Sequence, residues 1–143
     1  MNPTYVIDAC ALLAFLNDEP GANVLDALLQ QAKSGECTLF MPKLNILEIY
    51  YGVFREDGQA KAEEVLAKIL ALPITVIENL SEAVFKEAGR LKAVYSISLA
   101  DAIALAEAKT RNAQLATSDH HEFDPLSPRY MRTYENDSTS YSR

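Results

Sequence analysis

The sequence predicts a single α/β domain, built on a mainly parallel central sheet of four to five strands with helices on both faces. Three observations predict it. Short β-branched and aromatic stretches alternate with helical segments from one end of the chain to the other, an order that calls for crossover connections between parallel strands. The length of 143 residues suits one core, with roughly 68% of the unfolded chain's surface available for burial. No internal repeat, low-complexity run or linker divides the chain, so residues 1–134 are expected to form the domain and 135–143 a polar, fraying tail.

Thr4 to Ile7 is the first strand and ends at Asp8. Ala9 to Asn17 is apolar on nearly all sides, as a helix buried on several faces must be. Pro20 and Gly21 open a second helix, Ala22 to Lys33, whose Val24, Leu25, Leu28 and Leu29 recur at helical spacing before Ser34 and Gly35 stop it. Cys37 to Met41 is the second strand. After Pro42 a helix carries Asn45, Leu47, Glu48 and Tyr51 toward Gly52, and an amphipathic helix from Gln59 to Leu72 is stopped by Pro73. Ile74 to Ile77 is the third strand, followed by a helix from Ser81 and Glu82 to about Tyr95 and another from Ser98 through Lys109. Gln114 to Thr117 makes a fourth strand leading to Asp119, and Tyr130 to Thr133 a fifth.

Composition narrows the function classes. Hydrophobic residues make up 49% and charged residues 23%, the balance of a water-soluble globule rather than a disordered chain. No apolar run approaches the ~20 residues that span a bilayer, and the N-terminus lacks a signal-peptide pattern, so the expected location is the cytoplasm, with no membrane partner. Two cysteines, Cys10 and Cys37, sit in apolar segments and offer no disulfide framework. The net charge of −7 runs against simple nucleic-acid affinity, unless acids of a site are neutralised by metal or a basic partner docks on the surface.

In an open parallel sheet, ligands bind beyond the carboxyl ends of the strands. Four acids fall there: Asp8 after the first strand, Glu48 seven residues after the second, Asp101 in the turn opened by Ser98, and Asp119 after the fourth strand. Each also has a simple capping reading. Asp8 can cap the helix that follows it, Asn45 with Glu48 and Ser98 with Asp101 have capping-box spacing, and Asp119 can cap a turn with Glu122. The neighbours favour a site. Asp101 and Glu48 are embedded in apolar sequence, and no Lys or Arg stands within four residues of Asp8, Asp101 or Asp119. Two unit charges ~5 Å apart repel by roughly 3 kcal/mol at an effective dielectric of 20. Four converging carboxylates must therefore protonate in part, spread apart, or recruit divalent cations. An oxygen-only donor set favours Mg²⁺ or Mn²⁺ over Zn²⁺.

Val6-Ile7-Asp8-Ala9, Asn45 to Gly52, Ser98 to Ile103 and Ala116-Thr117-Ser118-Asp119 resemble, in this order, the four acidic motifs of PIN domains, and are most similar to VapC-type toxins of toxin–antitoxin systems. The likeness runs from Tyr5 to about Phe123. It implies a Mg²⁺- or Mn²⁺-dependent endoribonuclease acting on RNA, a homodimer, and inhibition by a cognate antitoxin that covers the active site. Carried over by motif, Asp8, Glu48 and Asp101 are the central metal ligands, Asp119 binds a second metal or its water, and Thr117 is an auxiliary hydroxyl. Cys10 departs from the small hydroxyl or amide residue frequent in that place. Lys43, Arg90, Lys92, Lys109 and Arg111 are candidates for phosphate contacts, and His120 and His121 lie in a polar loop that suits solvation better than acid–base work.

The alternative is a catalytically inactive PIN-like module that serves a protein partner. A phosphoacceptor receiver domain would need an acid pair after the first strand, and a haloacid-dehalogenase-type phosphatase a second aspartate at the place of Cys10; the chain has neither.

Overall fold

The computed structural model describes residues 2–118, 131–133 and 141–142. Its sheet has the order β3-β2-β1-β4-β5-β6, with β1 at Thr4–Ile7, β2 at Thr38–Pro42, β3 at Thr75–Ile77, β4 at Gln114–Thr117, β5 at Met131–Thr133 and β6 at Tyr141–Ser142. The first five run parallel, and β6 pairs antiparallel with β5. The mainly parallel sheet predicted from the alternation of elements is therefore present, one strand wider than expected. Residues 141–142, placed by sequence in a tail, pair with β5, and the rest of 135–143 lies outside the described residues.

Six described helices cover the sheet: α1 (Ala9–Leu16), α2 (Ala22–Lys33), α3 (Lys43–Asp57), α4 (Gln59–Leu70), α5 (Glu82–Val94) and α6 (Leu99–Thr110). The two-residue period of the strands sorts their side chains between two cores. Tyr5 and Ile7 of β1, Leu39 and Met41 of β2 and Ala116 of β4 pack with Leu12 of α1, Leu25 and Leu28 of α2, Ile46 and Ile49 of α3 and Ile69 of α4. Val6 and Leu115 face the other way, against Val84 and Leu91 of α5 and Ala104 and Leu105 of α6. The run of small residues on α6, Ala100, Ala102, Ala104, Ala106 and Ala108, is buried and lets that helix lie close to the sheet and its neighbours.

One helix differs from the sequence expectation. The third helix continues through Gly52 to Asp57 and stops at Gly58, where φ is +90°, a conformation natural only to glycine. Gly52 adds no such φ. The apolar positions Ile46, Ile49 and Val53 on the core face carry the helix past it, against a propensity cost of about 1 kcal/mol.

This topology fixes where a ligand can bind. The chain leaves β1 toward β2 and β3 on one side, then returns to β4 on the other, so the switch point lies between β1 and β4. In open parallel sheets, ligands bind beyond the carboxyl ends of the strands at such a point.

Candidate functional site

Asp8 follows directly on β1 and its amide N–H donates to the Ala116 carbonyl of β4 at 3.2 Å, which sets it at the carboxyl ends of the two switch-point strands. It is 1% exposed. Its Oδ1 accepts a hydrogen bond from the Ala11 N–H at 2.9 Å, capping α1. Capping and a place in the site are thus compatible: one oxygen orders the helix and fixes the direction in which the carboxyl faces.

Asp101 lies in the first turn of α6, where the Ser98 hydroxyl accepts its backbone N–H at 3.1 Å. Ser98 is thus the N-cap residue of α6. Asp101 is 8% exposed. α6 ends at Thr110, shortly before β4 begins at Gln114, so its last turn lies by the amino end of that strand and its first turn by the carboxyl ends. Asp101 therefore shares an edge of the sheet with Asp8.

α3 begins immediately after β2 and carries Glu48 in its second turn, half-buried. Asn45, one turn earlier, is not a cap. Pro42 holds the cap position, so Asn45 falls inside the helix, 0% exposed. Its Nδ2 donates to the Ala100 carbonyl at 3.4 Å, linking α3 to the residue before Asp101. Its Oδ1 is buried with no hydrogen-bond partner among the described residues. Leaving an amide oxygen in that state costs about 1–3 kcal/mol. Thr117, at the end of β4, is fully buried beside this edge.

The helices α1, α3 and α6 all start here, and the positive ends of their dipoles favour anionic side chains. Asp8, Asp101 and Thr117 lie buried at this edge of the sheet, with Asn45 and Glu48 on α3, the helix that leaves the neighbouring strand. Among the described residues no group of three acid, histidine or cysteine side chains stands close enough together to hold a metal ion. Asp119, His120 and His121 lie outside the described residues. The chemistry of the donors fits a hard divalent cation, since it consists of carboxylate and amide oxygens, among them a buried acceptor in need of a donor.

The basic residues considered for phosphate are largely committed elsewhere. Lys43 pairs with Glu78 at 2.9 Å, Arg90 and Lys109 both pair with Glu87, and Arg111 pairs with the buried Glu107 at 3.0 Å while lying over the Phe40 ring at 4.3 Å. Lys109 and Arg111 stand at the far end of α6, a helix length from Asp101. The Arg90 guanidinium, helped by Lys109, holds the Glu87 carboxyl down at about 2. Cys10 and Cys37 are not joined in a disulfide, and burial pushes the Cys37 thiol up.

The family model of the PIN domain matches residues 5–126. The chain belongs to the PIN domain family. No curated protein is similar enough in sequence to count as a match. Among solved structures, this PIN domain superposes with a TM-score of 0.73 on VapBC2 from Rickettsia felis bound to a DNA fragment from their promoter, at 20% identity over 92% of this chain and 99% of that one. It matches the DNA-bound VapBC from Salmonella typhimurium with a TM-score of 0.71, at 12% identity over 93% and 98%. Mycobacterium tuberculosis VapC20, described as a sarcin–ricin loop cleaving toxin, gives a TM-score of 0.65 at 14% identity over 93% and 98%. At these identities the likeness is one of fold.

Proposed function

We propose that this PIN domain is a metal-dependent endoribonuclease, the toxin of a VapBC-type toxin–antitoxin system, working in the cytoplasm. The observation that carries the reading is the placement of Asp8 and Asp101, both buried, at the switch point of the sheet. Membership of the PIN family, and the toxin–antitoxin descriptions of structures with the same fold, support it.

In this reading Asp8, Glu48 and Asp101 hold Mg²⁺ or Mn²⁺, and Asp119 joins them or holds a second ion. Such a cation supplies Lewis-acid polarisation of a phosphodiester oxygen and a water acidic enough to be deprotonated near neutral pH. The chain's own part is positional. Asp8 is fixed by its bond from Ala11, Asp101 by the capped turn of α6, and Thr117 lies buried at the end of β4. The three helix N-termini lower the cost of keeping the acids ionised and of seating a phosphate near them. The partners proposed are RNA as substrate, a cognate antitoxin, and a second copy of the chain. Leu47, Tyr51 and Phe54 recur at i, i+4 and i+7 on α3 and are 49%, 47% and 42% exposed, an apolar stripe suited to the contact between copies.

The test is cleavage of a total RNA pool by the purified, antitoxin-free protein with Mn²⁺, Mg²⁺ or EDTA. Cleavage with either ion, lost in EDTA, is the expected result. The second reading, an inactive PIN module, draws on the spacing of the described acids; it predicts binding to a protein partner and no cleavage under any of the three conditions.

A further inference from the structure

We propose that Asn45 is a positioning residue of the site, whose buried side-chain oxygen accepts a hydrogen bond from a water in the cation's hydration shell while its amide nitrogen locks α3 to the first turn of α6. The inference rests on the carboxylates being a metal site, and goes beyond that reading by assigning a role to a neutral residue.

Three features carry it. Asn45 is fully buried in the interior of α3, one turn before Glu48 and in contact with the carbonyl of Ala100, the residue preceding Asp101. It thus touches both elements that present these acids. The orientation of its amide is settled by that contact, because a carbonyl oxygen can only accept, so the nitrogen faces Ala100 and the oxygen turns away. That oxygen has no hydrogen-bond partner among the described residues.

The surroundings explain what can satisfy it. Ionised carboxylates only accept hydrogen bonds, so in that state the acids of this edge offer the Asn45 oxygen no donor. An apolar side chain of the same size would fill the position without stranding an acceptor in the core. Asparagine makes physical sense there if a donor arrives from outside the described residues. A small, hard cation that keeps several of its waters brings such donors to the acceptors around it, and residues that orient a coordination shell in this way typically change metal affinity by roughly 10- to 100-fold when removed.

The experiment compares the full chain as wild type, Asn45→Leu and Asp8→Asn, reading Mn²⁺ affinity by calorimetric titration and Tm with and without Mn²⁺. Asn45→Leu is expected to match or exceed the wild-type Tm in EDTA, to bind Mn²⁺ roughly tenfold or more weakly, and to need correspondingly more Mn²⁺ for the same RNA cleavage. A purely structural role would lower the metal-free Tm and leave the affinity in place, and that pattern overturns the inference. Wild-type affinity in Asn45→Leu alongside lost binding in Asp8→Asn also overturns it, and leaves the carboxylate site standing. Undiminished binding in Asp8→Asn removes the site reading itself, and the role of Asn45 falls with it. If Asn45→Leu does not fold, Asn45→Val carries the same expectations.

Discussion

Ser98 shows how much a single side chain does at this edge of the sheet. Its hydroxyl accepts the Asp101 N–H and so sets both the start of α6 and the placement of the acid in its first turn. Ser98→Ala should cost about 1 kcal/mol, a fall in Tm of roughly 3 °C for a domain of this size, readable by thermal denaturation; an unchanged Tm would mean the cap is dispensable. Asp8 and Asp101 are legible in the sequence because apolar neighbours and missing local cations mark them as unusual. Asn45 is visible there only as a capping residue, since its spacing to Glu48 imitates a capping box. What moves it into the interior is Pro42, which takes the cap position and starts the helix before Asn45 is reached. Glu107 is hidden in the sequence for a related reason: its partner Arg111 is one turn away across the helix end, exposed over the Phe40 ring of β2, while Glu107 itself is buried.

At the scale of elements, α5 and α6 are joined by a charge cluster as well as by their apolar faces. Glu87 of α5 accepts from Arg90 on its own helix and from Lys109 of α6. Because its folded pKa is depressed to about 2 from an ordinary 4.5, its contribution is fully present above about 4.5 and is lost as pH falls from there toward 2. Arg90 and Lys109 stand partly in solvent, so screening holds the effect to about 1 kcal/mol. Glu87→Gln should therefore be less stable than wild type at pH 7, and the gap should close on acidification toward pH 2, as followed by urea denaturation across that range; a gap independent of pH would contradict the assignment. The apolar side of α1 contributes more. Leu12 is fully buried among β1, α2 and α3 residues, and Leu12→Ala should cost about 2–5 kcal/mol in the same assay. Helix and strand positions are readable from period and punctuation, whereas the end of α3 is not: Gly52 and Gly58 look alike in sequence, and only the positive φ at the second distinguishes stop from passage.

For the whole molecule, the sheet order decides function more than composition does. Alternating strands and helices imply a parallel sheet, but they do not say that the chain reverses between β1 and β4; that reversal is what brings Asp8, Asp101 and Thr117 to one edge. The acidic net charge of −7 is what the proposed function expects of a molecule whose site acids bind cations and whose surface meets a basic partner. The exposed stripe of α3 belongs to the same scale. If the proposed dimer forms through this stripe, Leu47→Glu combined with Tyr51→Glu should leave a monomer in sedimentation experiments with little change in Tm, and a dimer that survives both changes would place the contact between copies elsewhere. Whether these carboxylates hold the catalytic cation is decided most directly by anomalous diffraction from a crystal soaked in Mn²⁺. A peak within ligand distance of Asp8 and Asp101, absent in Asp8→Asn crystals, is the expected result; no ion at saturating Mn²⁺, or an ion bound away from both residues, would contradict the proposed site.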